Sequence, residues 1–197
     1  MSQASCQLQS GYSIPCRDSV GGIKAFYILS GSVSSIAEAS EGLISGISGS
    51  GTFFKIEQQK ENGSLTETVN ADLSAGSVFY QDDMEIVIQK LQASIRNQVA
   101  VLAKNTSLKV VAETQNGLDS SDGYSGRFFY VGRYNGCALS AGTGATGAAF
   151  ADASGYNITL TAMEPKPIFE IESTDGTLLK RKMSMFICLI QEIQQGS

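Results

Sequence analysis

The middle of the chain carries the clearest pattern of hydrophobic and polar positions. Along Ser77–Gln89 apolar and polar residues alternate, which gives an extended chain one apolar and one polar side. The apolar positions are Val78, Tyr80, Met84, Ile86 and Ile88, and the polar positions are Gln81, Asp83, Glu85 and Gln89. The alternation predicts a long, half-buried strand.

Directly after this strand the hydrophobic residues change their period. They now recur at spacings of three and four, separated by Gln, Arg, Asn and Lys, and they are Leu91, Ile95, Val99 and Leu102. Such spacing places the side chains on one stripe of a helix. We therefore predict a helix over residues 90–104, with this stripe as the side that packs on the core.

Shorter runs rich in β-branched and aromatic residues, bounded by turn formers, are typical of strands. These runs are 23–29, 52–59, 64–71, 108–114, 127–133 and 156–163. The Glu61-Asn62-Gly63 turn predicts that the second and third of them form a hairpin. Residues 167–173 and 180–193 are also strand-like, although the latter pattern permits a short helix. About nine strands and one helix predict a mainly β fold.

Two segments have only weak periodicity. Residues 1–20 are polar and rich in turn formers, which favours an extended N-terminal arm. Residues 30–51 mix Ser and Gly with isolated apolar residues, which predicts a mobile loop or a ragged hairpin. The length of 197 residues fits a single domain over residues 1–197 that includes both segments.

Composition and charge narrow the class of protein. The apolar fraction of 42%, the charged fraction of 17% and a mean hydropathy of zero indicate a globular chain. A net charge of −5 disfavours binding to a phosphate backbone, which relies on clustered Lys and Arg. The sequence does not open with an export signal, and its longest apolar run, 183–190, is too short to cross a bilayer. We expect the protein to be made in the cytosol.

Candidate chemistry is sparse. Histidine is absent, which removes the common nucleophilic triads and most zinc sites. Four cysteines form no CxxC motif, so we interpret them as free thiols, and they are Cys6, Cys16, Cys137 and Cys188. We therefore predict no catalytic residue, no metal and no cofactor.

Three local motifs have simple structural interpretations. Gly142, Gly144 and Gly147 form a GxGxxG, but the helix that a dinucleotide-binding fold requires does not follow, so a glycine-rich turn is expected. The basic residues 180–182 are too few for nucleic-acid binding and are interpreted as a subunit contact. The acidic residues Asp82, Asp83 and Glu85 are interpreted as a solvated strand face, with Asp83 and Glu85 on the same side.

Three stretches carry a resemblance to a known family. They are CRDSVGGIKAFYIL (16–29), GSVFYQDDMEIVIQKLQASIRNQVAVLAKN (76–105) and RYNGCALSAGTGATGAAFADASGYNITLTAMEPKP (133–167). In their order they resemble the tail tube proteins, or major tail proteins, of long-tailed bacteriophages. The resemblance covers residues 16–167, whereas 30–51 and the chain after Glu172 have no clear counterpart.

The resemblance implies two packed antiparallel sheets with one flanking helix. It implies a homohexameric ring that stacks into the tail tube, a virion structure assembled in the host cytoplasm. Partners would be further copies of the chain, the tape measure, the tail terminator and baseplate or tip proteins, while DNA passes through without specific binding. No enzymatic activity carries over, and segments 1–20 and 30–51 are expected to become ordered on assembly.

Within a tube, Asp83 and Glu85 are candidates for the surface that faces the lumen, where carboxylates would repel DNA phosphates. Alternative functions are the inner tube of a contractile injection system and a phage neck or capsid decoration subunit. A small-ligand-binding β-barrel, with Tyr124, Tyr130 or Tyr134 as polar anchors, is the weaker alternative.

Overall fold

Strands account for most of the residues that the structure describes, as the alternating sequence pattern predicts. The computed structural model describes residues 11–12, 20–118 and 125–171. The strands are β1 (Ile23–Ser40), β2 (Leu43–Glu57), β3 (Ser64–Asp72), β4 (Ser77–Gln89), β5 (Lys109–Leu118), β6 (Ser125–Val131), β7 (Cys137–Ala145), β8 (Gly155–Glu164) and β9 (Phe169–Ile171). The helix α1 (Ala93–Lys104) lies between β4 and β5.

The strands form two sheets. Five of them close into a barrel in the order β1-β2-β9-β6-β5, and the other four form an open sheet in the order β3-β4-β8-β7. Among the described residues all pairings are antiparallel except that between β2 and β9. The predicted hairpin of 52–59 with 64–71 is wrong: β2 pairs with β1 and β9, whereas β3 pairs with β4 in the other sheet. Within the described residues the prediction of a mainly β protein with two sheets and one helix is confirmed, and the closure of one sheet into a barrel is the more specific finding.

Two apolar clusters hold these layers together. The first, called the interface cluster, lies between the barrel and the open sheet and includes Phe26, Ile28, Val110 and Val131 from the barrel and Met84, Ile86, Ile158 and Leu160 from the sheet. The second, called the barrel cluster, takes the opposite side of the barrel strands and includes Tyr27, Ile44, Val111, Phe128, Tyr130, Phe169 and Ile171. Because side chains alternate along each strand, the barrel strands are apolar on both sides.

Helix α1 begins at Ala93, whereas the sequence predicts a start at residue 90. Lys90 adopts a φ of 66°, which is incompatible with a right-handed helix. None of the α1 residues is fully buried. Val99 and Leu102 pack against the interface cluster, while Leu91 and Ile95 are half-buried. The predicted stripe therefore faces the protein, but it only partly covers the core.

Residues 30–51 form two strands joined by a two-residue turn at 41–42, and not a loop. They continue β1 and β2 into a long hairpin whose register shifts at several points. Of the two structures predicted for this segment, the structure shows the ragged hairpin. Gly31 and Gly51 lie opposite each other with φ of 147° and 127°, and a Cβ at either would collide with the backbone of the other strand. Glycine is required at this crossing because the two backbones approach closely there.

The end of this hairpin is attached to the barrel. Ile44 is fully buried in the barrel cluster, and Leu43 and Ile44 pair with β9. The Glu38 carboxylate forms an ion pair with Arg133, whose guanidinium stacks over Phe169 at 4.2 Å. Whether residues 30–51 are mobile in the free protein stays a prediction.

Most of the predicted arm 1–20 and the segment 180–193, with Cys6, Cys16 and Cys188, lie outside the described residues. Cys137 is a buried free thiol.

Candidate assembly surface

The open sheet ends in two edge strands. β3 pairs with β4 alone, and β7 pairs along its length with β8 alone, so each has one side without a strand partner in the part of the chain that the structure describes. Edge strands present unpaired N–H and C=O groups that can pair with another chain. The second half of β7 is exposed and consists of Ser, Ala, Gly and Thr, without any charged residue that would block such pairing.

The side of the open sheet that faces away from the barrel is mostly polar and rich in hydroxyl groups, with Met163 as an exposed apolar residue opposite Gln81. This hydroxyl-rich face is defined by the residues Ser64, Thr66, Thr68, Gln81, Asp83, Glu85, Thr159 and Thr161, which the register of β3, β4 and β8 places together. Among these residues the charges are carboxylates only. The opposite side of the same sheet is buried in the interface cluster.

The two candidate carboxylates lie on the hydroxyl-rich face, on the same side of β4. Asp83 is half-buried and accepts hydrogen bonds from Thr161 Oγ1 at 2.6 Å and from Gln81 Nε2 at 2.9 Å. Glu85 is exposed. The sequence therefore predicts their common side, whereas the structure distinguishes a tethered carboxylate from a free one.

Asp82 is the residue that the sequence interpretation misplaced. It is 1% exposed and faces the interior, on the same side of β4 as Met84, so it does not belong to a solvated acidic face. Its own parity with Tyr80 and Met84 is the signal that would have indicated burial. No hydrogen-bond partner of Asp82 Oδ1 is present among the described residues.

The surroundings of Asp82 favour its neutral form. Burial, and then the negative charges of Glu67, Glu164 and Asp83, raise its pKa to about 7. Glu67 lies directly opposite on β3, so two carboxylates face each other across the strand pair. A pair of like charges in this position is destabilising when both are ionised. Asp82 therefore makes the open sheet sensitive to pH near neutrality.

Two other buried carboxylates have partners and act as structural anchors. Glu113 accepts hydrogen bonds from Lys24 Nζ and from the Tyr27 hydroxyl, both at 2.7 Å. Burial and this carboxylate together raise the pKa of Tyr27 above its usual range. Glu164 accepts the backbone N–H groups of Tyr134 and Asn135, which fixes the turn before β7. Because these contacts satisfy both groups locally, neither has the open geometry of a reactive acid.

The β3–β4 hairpin carries exposed apolar residues at its far end. Val69, Val78, Phe79 and Leu73 are exposed there. Val78 has the parity of the buried residues of β4, but it is 55% exposed because nothing in the described chain covers this end of the hairpin. Together with the edge strands, this apolar end forms a surface suited to contact with another protein.

The GxGxxG motif does not form a nucleotide-binding turn. Gly142 and Gly144 lie within β7, and Gly147 follows in a turn with a φ of 71°. Strand β8 comes next, not the helix that a dinucleotide fingerprint needs. The expected glycine-rich turn thus holds for Gly147, and the first two glycines belong to an edge strand.

Within residues 11–12, 20–118 and 125–171, no group of His, Cys, Asp and Glu side chains could hold a metal ion. A search of the same residues finds no helix with the length and apolarity needed to cross a membrane. No known protein family, no curated protein and no solved structure matches the chain.

Proposed function

We propose that the protein is a structural virion subunit that forms hexameric rings, which stack into the tail tube of a long-tailed bacteriophage. The observation that carries this proposal is the open sheet, whose two edges lack a strand partner in the described chain. Edge pairing between β3 of one copy and β7 of the next joins two different surfaces, and such a head-to-tail contact generates a ring when its rotation closes. The number of six copies and the stacking into a tube are what the sequence resemblance implies.

In such a ring the orientation of the sheet follows from its burial. One side is covered by the barrel, so only the hydroxyl-rich face remains available to line a central channel. The barrels would then lie on the outside. Asp83 and Glu85 would recur in every copy around the lumen. Since carboxylates repel phosphates, DNA would pass without binding.

The distance over which a charge acts in salt solution is consistent with this electrostatic role. At physiological ionic strength a charge acts over roughly 8 Å, so the carboxylates would repel phosphates that come close to the wall. The hydroxyl groups beside them form hydrogen bonds with water or with each other, as between Thr161 and Ser140 at 2.8 Å. The lining would be wetted and negative, which suits a conduit for genome delivery.

Two related functions use the same surface. The inner tube of a contractile injection system would need the same ring, and a neck or capsid decoration subunit would need an edge contact without open-ended stacking. The proposed partners are therefore further copies of the chain and, at the tube ends, tape measure, terminator and baseplate or tip proteins. A small-ligand-binding β-barrel is the second candidate, favoured by an apolar groove beside α1.

Electron microscopy and sedimentation of the purified protein over a range of concentrations test the proposal. The expected result is rings and then stacked tubes as concentration rises. Val69→Lys, at the exposed end of the β3 edge, should prevent ring formation while the melting temperature stays unchanged. Asn97→Lys, which adds the same charge on the exposed side of α1, is the control. A protein that stays monomeric at high concentration contradicts the proposal.

A further inference from the structure

An apolar groove runs between α1 and the adjoining parts of β1 and β2. Its volume is about 650 Å³, and its apolar walls are formed by Ile28, Ile56, Ile88, Ile95, Leu102 and Leu108. Phe54 and Val101, on opposite sides of the groove, are 59% and 62% exposed. Contiguous exposed apolar surfaces mark binding sites, whereas apolar residues that are exposed singly do not.

The groove exists because α1 covers the core incompletely. Only Val99 and Leu102 of the helix reach the interface cluster, and the helix has no fully buried residue. Ile95 and Val101 therefore face the groove rather than the core. An amphipathic helix gains its stability in proteins from packing of its apolar side, so this side needs a further partner.

The chain itself contains a segment with matching chemistry. Residues 172–197 follow β9 and lie outside the described residues. They include the longest apolar run of the sequence, residues 183–190 (MSMFICLI), in which Ser184 is the only polar residue. The other long undescribed segment, residues 1–10, is polar and has no comparable run. The C-terminal segment is thus the occupant that the sequence favours.

The connection is long enough. The eleven residues 172–182 separate Ile171 from the apolar run and can span roughly 40 Å when extended. Ile171 pairs with Phe128, which pairs with Glu113, and the groove residue Leu108 lies five positions before Glu113. Along the strands this offset is roughly 17 Å. The tether therefore reaches the groove of its own copy or that of a neighbour.

We propose that residues 183–190 dock into the groove between α1 and the β1–β2 hairpin and cover its apolar walls. The volume lies within the roughly 300–1,000 Å³ that suit a compact ligand, so several of these side chains fit at once. This inference is independent of the proposed function, because it concerns the folded single copy as much as an assembly.

Disulfide trapping tests the docking directly, because Cys188 lies inside the apolar run. In a background with Cys6→Ser and Cys16→Ser, Val101→Cys places a thiol at the groove. Cys137 does not interfere, since it is fully buried and burial raises its pKa to about 12. Leu73→Cys, at a position 99% exposed on the β3–β4 turn, is the matched control. Both substitutions are at exposed positions and should leave the fold intact.

Mild oxidation followed by peptide mass spectrometry is expected to show the bond from Cys188 forming at least tenfold faster in Val101→Cys than in Leu73→Cys. Bonds within one chain are the expected product, because the protein is present as single copies, and they assign the docking to the same copy. Adding Phe186→Asp should abolish the preference. Equal rates in the two variants overturn the proposal, as does native mass spectrometry that finds an apolar small molecule in the groove.

The measurement is made at a concentration at which sedimentation shows single copies. Loss of ring formation then has no influence on the result, and failure of the docking leaves the proposed tube untouched.

Discussion

At the scale of single residues, we expect Asp82 to make stability depend on pH. An unfolded Asp has a pKa of about 3.9, whereas burial and neighbouring carboxylates raise that of Asp82 to about 7. Between these values the folded protein binds more protons than the unfolded chain, so its stability falls as pH rises from about 4 to about 7 and then levels. The exposed Asp72 and Asp152 have lowered pKa values and act only below this window.

Asp82→Asn should therefore raise stability at pH 8 and remove most of the slope between pH 5 and pH 8. The amide has the shape of the neutral acid and carries no charge toward Glu67. Urea midpoints at pH 5, 6, 7 and 8 measure the effect. Glu85→Gln removes an exposed carboxylate from the same strand and should leave the slope as it is. A slope that persists in Asp82→Asn would assign it to another group.

At the scale of elements, helix α1 is held at its C-terminal half. Leu102 packs against the interface cluster, so Leu102→Ala should lower the free energy of unfolding by roughly 1–3 kcal/mol. Asn97→Ala, on the exposed side, should change it by less than about 0.5 kcal/mol. Ile95→Asp should leave a folded protein, because Ile95 is half-buried at the groove and not inside the core. Denaturant unfolding of the three variants checks the order.

The point of the β1–β2 hairpin where Gly31 and Gly51 lie opposite each other should also be sensitive to substitution. Gly51→Ala places a Cβ 2.3 Å from the Ser30 carbonyl oxygen, at a φ of 127° that side chains rarely adopt. We expect a loss of more than about 1 kcal/mol and faster hydrogen exchange of residues 43–47, which pair with β9 through Leu43 and Ile44. Gly46→Ala, whose Cβ would meet Ala37 at an ordinary 3.8 Å, is the control. Similar exchange in both variants would contradict this role of Gly51.

At the scale of the whole molecule, the charge of the hydroxyl-rich face should matter for passage and not for assembly. The double variant Asp83→Lys and Glu85→Lys should still form tubes while genome passage slows or stops, because the wall would then attract phosphates. Asp83→Lys also removes the hydrogen bond from Thr161, which costs about 1 kcal/mol, whereas the exposed Glu85 tolerates the change. Triggered DNA release from assembled particles measures passage.

Glu41→Lys with Glu61→Lys makes the same change of charge at exposed turn positions and serves as the control for that experiment. Normal release in both double variants would show that the hydroxyl-rich face does not line a channel. The proposed ring would remain, and the two carboxylates would belong to its outside.

The sequence by itself determined the elements whose signal is local. The alternation in Ser77–Gln89 and the spacing of Leu91, Ile95, Val99 and Leu102 predict a strand, a helix and their apolar sides because side-chain direction repeats with the backbone period. The same periodicity places Asp83 and Glu85 together on one side of β4. The periodicity also places Asp82 on the buried side of β4 with Met84, although a charged residue was not expected on that side.

Only the tertiary structure decided how these elements combine. Barrel closure depends on the pairing of β9 with both β2 and β6, contacts between residues far apart in sequence that no local period encodes. The Ser- and Gly-rich residues 30–51 have weak strand propensity, and they become strand because Ile44 and Glu38 attach the hairpin end to the barrel. The groove beside α1 likewise arises from the mismatch between the helix and the sheet beneath it, and such a mismatch is a property of packing rather than of sequence.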